Sequence, residues 1–220
     1  MDGATTVPRL NRLRVDASRN RERIIAAARE AFVEIGPDAP LDTIASRAGV
    51  GNATLYRHFA DRWQLVHQVA VHSLTRIAEQ AETAAHSEPD PFEALRRFIH
   101  AAVDERVGSL TSLFCKGFDK SAPDIVAARE RLESAVARLM EEARASGQLR
   151  PDVALGDVMT ALTQLSRPIP GSDCASFDRF TRRHLQLFID GLHTPIRSTL
   201  AGSAATLETL EHHEAWPSGP

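Results

Sequence analysis

The chain has 220 residues, with two cysteines, 5% aromatic residues and a formal net charge of −3. Two cysteines are too few for a disulfide scaffold, no apolar stretch approaches the roughly 20 residues that span a bilayer, and the amino terminus lacks the apolar segment of a secretory signal. These features predict a cytoplasmic protein with no membrane partner. Ala, Leu and Ile recur without the alternating pattern of β-strands, which predicts an all-α protein of about nine helices.

The first residues of the chain are strongly basic. Residues 9–29 hold seven arginines against Asp16 and Glu22, a local charge of +5. Such a cluster is typical of a surface that follows the phosphates of a nucleic acid. Residues 1–17 have no clear apolar periodicity, and we expect a flexible arm there. A plain disordered tail and an extension that follows DNA both remain open.

A first helix is predicted over residues 19–35, and the Gly36-Pro37 pair ends it. Two short helices follow, over residues 41–48 and 52–58, each with apolar positions on one face. Gly49 stands between them, where a tight turn requires a residue that tolerates positive φ. This is the arrangement of a helix-turn-helix, whose second helix lies in the major groove, so the predicted partner is double-stranded DNA.

Residues 20–68 resemble the amino-terminal domain of TetR-family transcriptional regulators. The run GVGNATLYRHF, residues 49–59, is far more specific than a general helix-turn-helix pattern. The resemblance implies a three-helix DNA-binding domain and a longer, variable helical part that binds a ligand and dimerises. The residues that carry it are Ile24, Ala27, Ala28, Phe32, Ile44, Ala45, Ala48, Gly49, Val50, Thr54, Leu55, Tyr56, His58, Phe59, Arg62 and Leu65.

The predicted DNA contacts lie on the two motif helices and directly after them. The Asn52 amide is suited to reading adenine with two hydrogen bonds, and Thr54 to a thymine methyl or a phosphate. By the family resemblance, Tyr56 donates to a phosphate, whereas a solvated side chain is the alternative for Arg57. The full predicted set is Thr43, Arg47, Asn52, Thr54, Tyr56, Arg57, His58 and Arg62.

Three positions depart from what is common in the family. Pro40 occupies the cap of the first motif helix, where Thr or Ser is frequent, and it offers neither a side-chain acceptor nor an N–H group. Gly51 replaces a frequent Ser at the cap of the second motif helix, which is a milder change. Arg62 replaces a common Lys, and either residue can reach a phosphate.

The remaining helices are predicted from apolar periodicity and from breaks at Pro and Gly. Asp61 caps a long helix over residues 61–85, with Gln64 placed for a capping box. The later helices are predicted over residues 91–106, 110–118, 124–146, from 151 onward, and 176–192. We therefore expect a DNA-binding domain over residues 18–64, a helical ligand-binding and dimerisation domain over 65–193, and a disordered tail over 194–220.

The carboxy-terminal part contains candidates for a ligand pocket and for a dimer interface. Each pocket candidate is also suited to an ordinary core position; the set is His67, Phe98, Phe114, Cys115, Phe118 and Met140. The last two predicted helices have wide apolar stripes that either complete a monomer core or pair with a second copy as a four-helix interface. The interface candidates are Leu155, Val158, Met159, Leu162, Phe177, Phe180, His184 and Phe188.

The sequence therefore favours a ligand-responsive, sequence-specific DNA-binding regulator, a repressor that acts as a homodimer on a palindromic operator. Residues 1–80 carry a net charge of +2 and the rest −5, so the acidic sum does not argue against DNA. The alternative is a helical small-molecule-binding protein without operator function. An enzyme is disfavoured because no metal-ligand pair, phosphate loop or nucleophile motif is present, and no cofactor is expected.

Overall fold

The structure, a computed structural model, describes residues 9–110, 113, 118–167, 174–196 and 198–206, with the side chains of residues 9–16 and 174–178 outside that description. These ranges contain α-helices and no named strand, which confirms the all-α prediction. The helices are α1 (Arg9–Ile35), α2 (Leu41–Ala48), α3 (Asn52–His58), α4 (Arg62–Ser87), α5 (Pro91–Asp104), α6 (Val107–Leu110), α7 (Pro123–Ala145), α8 (Leu155–Leu165) and α9 (Cys174–Leu192).

The described residues fall into two compact units. The first lies within residues 1–72 and 112–119, and the second within residues 73–111 and 120–220. The boundary between the units falls between His72 and Ser73, within the residue range of α4. It lies beyond residue 64, the predicted end of the DNA-binding domain.

The first unit has a core of side chains from α1, α2, α3 and the start of α4. Phe32, Ile44, Leu55 and Phe59 are all at least 99% buried. Helix α1 begins at Arg9, so the prediction of a flexible arm is wrong for residues 9–17. The chain has neither Gly nor Pro between positions 9 and 35, and adding turns to an existing helix avoids the cost of a new nucleus.

The second unit has a separate apolar core, in which α5 packs against α7 and α8. Helix α5 begins at the predicted break, because the Asp90 carboxylate accepts a hydrogen bond from the Glu93 N–H at 2.9 Å. Helix α8 begins at Leu155 rather than at residue 151. The Asp157 carboxylate accepts from the Ala154 N–H at 2.8 Å, which fixes the first turn there.

Part of the predicted disordered tail is hydrogen-bonded to the second unit, although most of it is exposed, and this corrects the prediction at Ser198 and Ala205. Arg150 is 94% buried. Its guanidinium donates to the Ser198 carbonyl at 2.9 Å. The Ala205 N–H donates to the Asp157 carboxylate at 3.1 Å. A Cβ atom at Gly156 would collide with the Ala205 carbonyl, so glycine permits this close contact. Residues 207–220 lie outside the described residues.

The predicted helix over residues 110–118 is placed differently where the structure describes it. Helix α6 covers Val107–Leu110, and most of the predicted range lies outside the described residues. Gly108 in α6 is buried against α8, and its N–H donates to the Ser166 hydroxyl at 2.7 Å. The Ser166 hydroxyl in turn donates to the Leu162 carbonyl at 2.6 Å.

The Gly108→Ala variant is expected to destabilise the second unit by about 2 kcal/mol, as overpacked cores typically do. A Cβ atom there would collide with the Thr163 carbonyl, a backbone atom that cannot move without shifting α8. Thermal and denaturant unfolding measure the loss. Ser166→Ala is the comparison variant, because it removes the hydroxyl that contacts Gly108 without adding bulk. A Gly108→Ala protein as stable as wild type would contradict the close packing of α6 on α8.

No helix in the described ranges is both long and apolar enough to cross a lipid bilayer.

Candidate nucleic-acid interface

Helices α2 and α3 are joined by a turn whose backbone depends on glycine. Gly49 has φ of +64°, the left-handed conformation that the sequence predicted for this position. The Gly49 N–H donates to the Ser46 carbonyl and the Val50 N–H to the Ala45 carbonyl, both at 3.0 Å. These bonds close α2 and set the direction in which α3 leaves the turn.

The Gly49→Ala variant is expected to lose about 1–2 kcal/mol of stability in the first unit, since a Cβ atom is disfavoured in this conformation. The new methyl group would also lie 2.5 Å from a guanidinium nitrogen of Arg23, which must move. Unfolding followed by circular dichroism measures the change.

Gly51→Ala is the matched control for Gly49→Ala, because position 51 has φ of −77° and open space around its Cβ direction. It is expected to change stability by less than Gly49→Ala, because the gain of about 0.4–1 kcal/mol through the unfolded chain is offset by the lower preference for Ala at a helix N-cap. Equal effects of the two substitutions would contradict the assigned turn.

Helix α3 has one buried face and one exposed face. Leu55 and Phe59 are each 1% exposed and hold the helix to the core of the first unit. Tyr56 is 53% exposed, and Asn52 and Arg57 are also exposed. The polar amino-terminal face of α3 is therefore uncovered within its own unit, as a helix that enters a DNA groove requires.

Two of the predicted contacts on α3 are held by neighbouring side chains. The Asn52 amide nitrogen donates to the Asp42 carboxylate at 2.6 Å. The Arg57 guanidinium donates to the Thr54 hydroxyl at 2.8 Å and to the Ala53 carbonyl at 3.3 Å. Because Thr54 accepts from Arg57, its own O–H remains available as a donor.

Arg47 and Arg62 make structural contacts that sequence reasoning did not predict. Arg47 forms a salt bridge with Glu34 at 2.7 Å. One guanidinium nitrogen of Arg62 donates to the Pro37 carbonyl at 2.9 Å and to the Ala39 carbonyl at 2.8 Å. Arg62 thus ties the start of α4 to the turn before α2. Thr43 and His58 are half-buried on α2 and α3.

The cap of α4 forms as the sequence predicted, with one shift. The Gln64 N–H donates to the Asp61 carboxylate at 2.8 Å. The Gln64 side chain reaches back to the N–H of Ala60 at 2.7 Å, one residue before the cap. Together these bonds satisfy two amide donors and fix the beginning of α4 against the end of α3.

The predicted pocket residues do not come together in one cavity. His67 and Phe118 stack with ring centroids 5.8 Å apart and line a cavity of about 340 Å³ in the first unit. Phe98 and Met140 are 0% and 2% exposed and belong to the core of the second unit, the alternative that the sequence left open. Phe114 and Cys115 lie outside the described residues.

A larger cleft of about 800 Å³ lies in the second unit, at the start of α5 and the end of α9. Its walls include Asp90, Gln148, Arg150 and His193. The pKa of Asp90 is lowered below its usual value, mainly by a hydrogen bond from the Gln148 amide at 2.8 Å. The hydrogen bond from the Glu93 N–H is the second cause. Sequence reasoning missed this cleft because its polar residues are brought together from distant segments.

The predicted interface residues that the structure describes differ in exposure and form three groups. Val158 and Leu162 are 0% exposed and belong to the core of the second unit, so the prediction that they face a partner is wrong. Leu155, Met159 and Phe188 are partly buried against the same core. Phe180 and His184 are exposed, and the Phe177 side chain lies outside the described residues.

Helix α9 leaves an apolar stripe uncovered within its unit. Phe180 is 42% exposed and Leu187, which the sequence prediction did not include, is 61% exposed. With His184 and Gly191 these residues recur at spacings of four and three, so they share one helix face. We call these four residues the α9 stripe. The apolar part of the α9 stripe consists of Phe180 and Leu187.

Among the described residues, no group of three or more His, Cys, Asp or Glu side chains is arranged to hold a metal ion.

Two family models match the chain over most of its length. Residues 24–69 match the model described as bacterial regulatory proteins, tetR family. Residues 90–194 match the carboxy-terminal domain of SbtR-like transcriptional regulators. The first match contains α2, α3 and the turn between them, and the second contains α5 to α9.

Solved structures of individual proteins are also similar to this chain. The crystal structure of the TetR transcriptional regulator SCO0520 from Streptomyces coelicolor is 30% identical, with a TM-score of 0.61, and the match covers 80% of this chain and 99% of that one. The structure of LfrR from Mycobacterium smegmatis in complex with proflavine has the same fold at 22% identity, with a TM-score of 0.60 and coverage of 83% and 99%.

A curated relative, the HTH-type transcriptional regulator SAB2452 from Staphylococcus aureus, is 29% identical over 104 residues, which are 47% of this chain and 56% of that protein. The chain spans about half the length of the curated relatives it matches.

Proposed function

Since this chain belongs to the TetR family of transcriptional regulators, we propose that it is a ligand-responsive repressor that binds a palindromic operator as a homodimer in the cytoplasm. The observation that carries the proposal is the uncovered polar face of α3, with Tyr56 53% exposed beside the buried Leu55. A helix held in this way can enter the major groove without rearranging its own unit.

In the proposed complex, each part of the first unit has a distinct role. Asn52 and Thr54 contact base edges, because they stand at the amino-terminal end of α3. Tyr56 and Arg57 contact phosphates, as their exposed side chains on the same helix allow. Arg62 acts mainly by holding the turn before α2 in place, given its two bonds to carbonyl oxygens.

The α9 stripe supports the homodimer part of the proposal. Its two large side chains, Phe180 and Leu187, are 42% and 61% exposed, and an isologous pairing would bury both on each copy at once. A dimer also matches a palindromic operator, because the twofold axis of the protein coincides with that of the DNA. Leu187 replaces Val158 and Leu162 as an expected interface residue.

The effector is expected to bind the second unit. That LfrR is seen with proflavine supports a small organic molecule as the class of ligand. The polar cleft beside Asp90 and Arg150, with a volume of about 800 Å³, is the candidate site. A ligand changes operator binding only if it binds one arrangement of the dimer more tightly than the other.

Selection of genomic DNA fragments by the purified protein tests the DNA-binding proposal. We expect a small set of enriched fragments that share an inverted repeat, and much weaker enrichment of the same fragments with Tyr56→Ala. The alternative function, a helical small-molecule-binding protein without an operator, predicts that wild type enriches no sequence.

A reporter gene placed behind an enriched fragment tests repression. Its expression should be lower with the protein than without it.

A further inference from the structure

A carboxylate on α2 holds the first side chain of α3. The Asn52 amide nitrogen lies 2.6 Å from an Asp42 carboxylate oxygen, and both residues are exposed. Asp42 stands in the first turn of α2 and Asn52 is the first residue of α3. The two short helices are therefore linked at the ends that would approach DNA.

The carboxylate determines which way the Asn52 amide faces. An ionised carboxylate accepts hydrogen bonds and donates none, so the NH₂ group, not the carbonyl oxygen, must lie against Asp42. A flipped amide would place two acceptors 2.6 Å apart and lose a charge-assisted bond. The bond to Asp42 uses the NH₂ group of Asn52 and does not involve its carbonyl oxygen.

We propose that Asp42 is a specificity-determining positioning residue, which presents Asn52 to DNA as a hydrogen-bond acceptor. In the major groove, adenine and cytosine expose amino groups that an acceptor can bind, whereas guanine and thymine expose carbonyl oxygens at the corresponding positions. Asn52 therefore selects a base with an exocyclic amino group. With its second amide hydrogen it also reaches adenine N7, so adenine is preferred over cytosine.

This inference rests on the proposed function, because it needs α3 to bind DNA. The experiment selects binding sites from a random duplex library with wild type, Asn52→Ala, Asp42→Asn and Asp38→Asn. Asp42→Asn removes the charge and allows the Asn52 amide to face either way. Asp38 is an exposed carboxylate in the turn before α2, so Asp38→Asn removes the same charge without a contact to Asn52.

In the DNA site selected by the wild-type protein, we expect one position in each half-site to require adenine, or less strongly cytosine. Asn52→Ala should abolish that preference. Asp42→Asn should reduce the same preference by roughly tenfold, the scale of one good base contact, and leave the other positions unchanged. Asp38→Asn should leave every position unchanged, although it removes the same charge.

Two results would overturn the inference while leaving the proposed function intact. In one, Asp42→Asn alters overall affinity but no base preference. In the other, Asn52→Ala leaves all positions of the selected site as they were. If wild type selects no sequence at all, the proposed function itself fails, and with it the inference.

Discussion

The Leu187→Glu variant is expected to be a monomer and to bind its operator at least a hundredfold more weakly than wild type. Leu187 is the most exposed large apolar side chain of the described residues, at 61%. At the twofold axis of an isologous interface, each introduced carboxylate would be desolvated near its copy, which is strongly unfavourable. Separate subunits also lose the effective concentration that links two half-sites, a factor of about 10²–10⁴ in affinity.

Analytical ultracentrifugation and operator titration measure these two effects. The matched control is Arg182→Gln, which changes the charge of α9 by the same amount on the face opposite the α9 stripe. It gives up only an exposed ion pair with Asp104 at 3.9 Å, so it should remain dimeric with nearly normal affinity. Circular dichroism checks that both variants are folded. A Leu187→Glu protein that is still dimeric would show that the subunits associate through another surface.

The Tyr56→Ala variant is expected to lose about a hundredfold or more in operator affinity, since a hydrogen bond to a charged group contributes about 1.5–3 kcal/mol and a dimer loses two. The side chain is 53% exposed, so its removal should leave the stability of the first unit within about 0.5 kcal/mol of wild type. Fluorescence anisotropy with a labelled operator measures the affinity, and thermal unfolding measures the stability.

Tyr56→Phe separates the hydroxyl from the ring. It keeps the aromatic surface and removes the donor, so it should lose nearly as much affinity as Tyr56→Ala if the contact is a hydrogen bond to phosphate. Such a contact is the same for every sequence, and the selected operator should not change. Wild-type affinity in both variants would contradict a role for Tyr56 in binding.

The helix-turn-helix was predictable because its signals are local. Helices α2 and α3 begin and end at the predicted residues, since Gly49 permits the left-handed turn that ends α2 and the apolar spacing assigns the buried face. The start of α1 was not predictable from apolar periodicity, because residues 9–17 contribute no periodic apolar face and yet continue the helix.

The wrong interface residues have a different cause. An apolar stripe indicates burial but not what buries it. Val158 and Leu162 are covered by their own unit, whereas Leu187 is uncovered. The bond between Asp42 and Asn52 joins two different helices. The hydrogen bonds of residues 198–206 join segments that are distant in sequence. Such contacts depend on tertiary structure, which no local pattern encodes.

The measurement that tests the account most directly is the number and placement of chains on a selected operator. Mass photometry and footprinting of the wild-type complex should find two chains, or a multiple of two, on an inverted repeat whose half-sites are about one helical turn or more apart. A single chain on an asymmetric site, or protection that is unchanged by Tyr56→Ala, would contradict paired reading of DNA by α3.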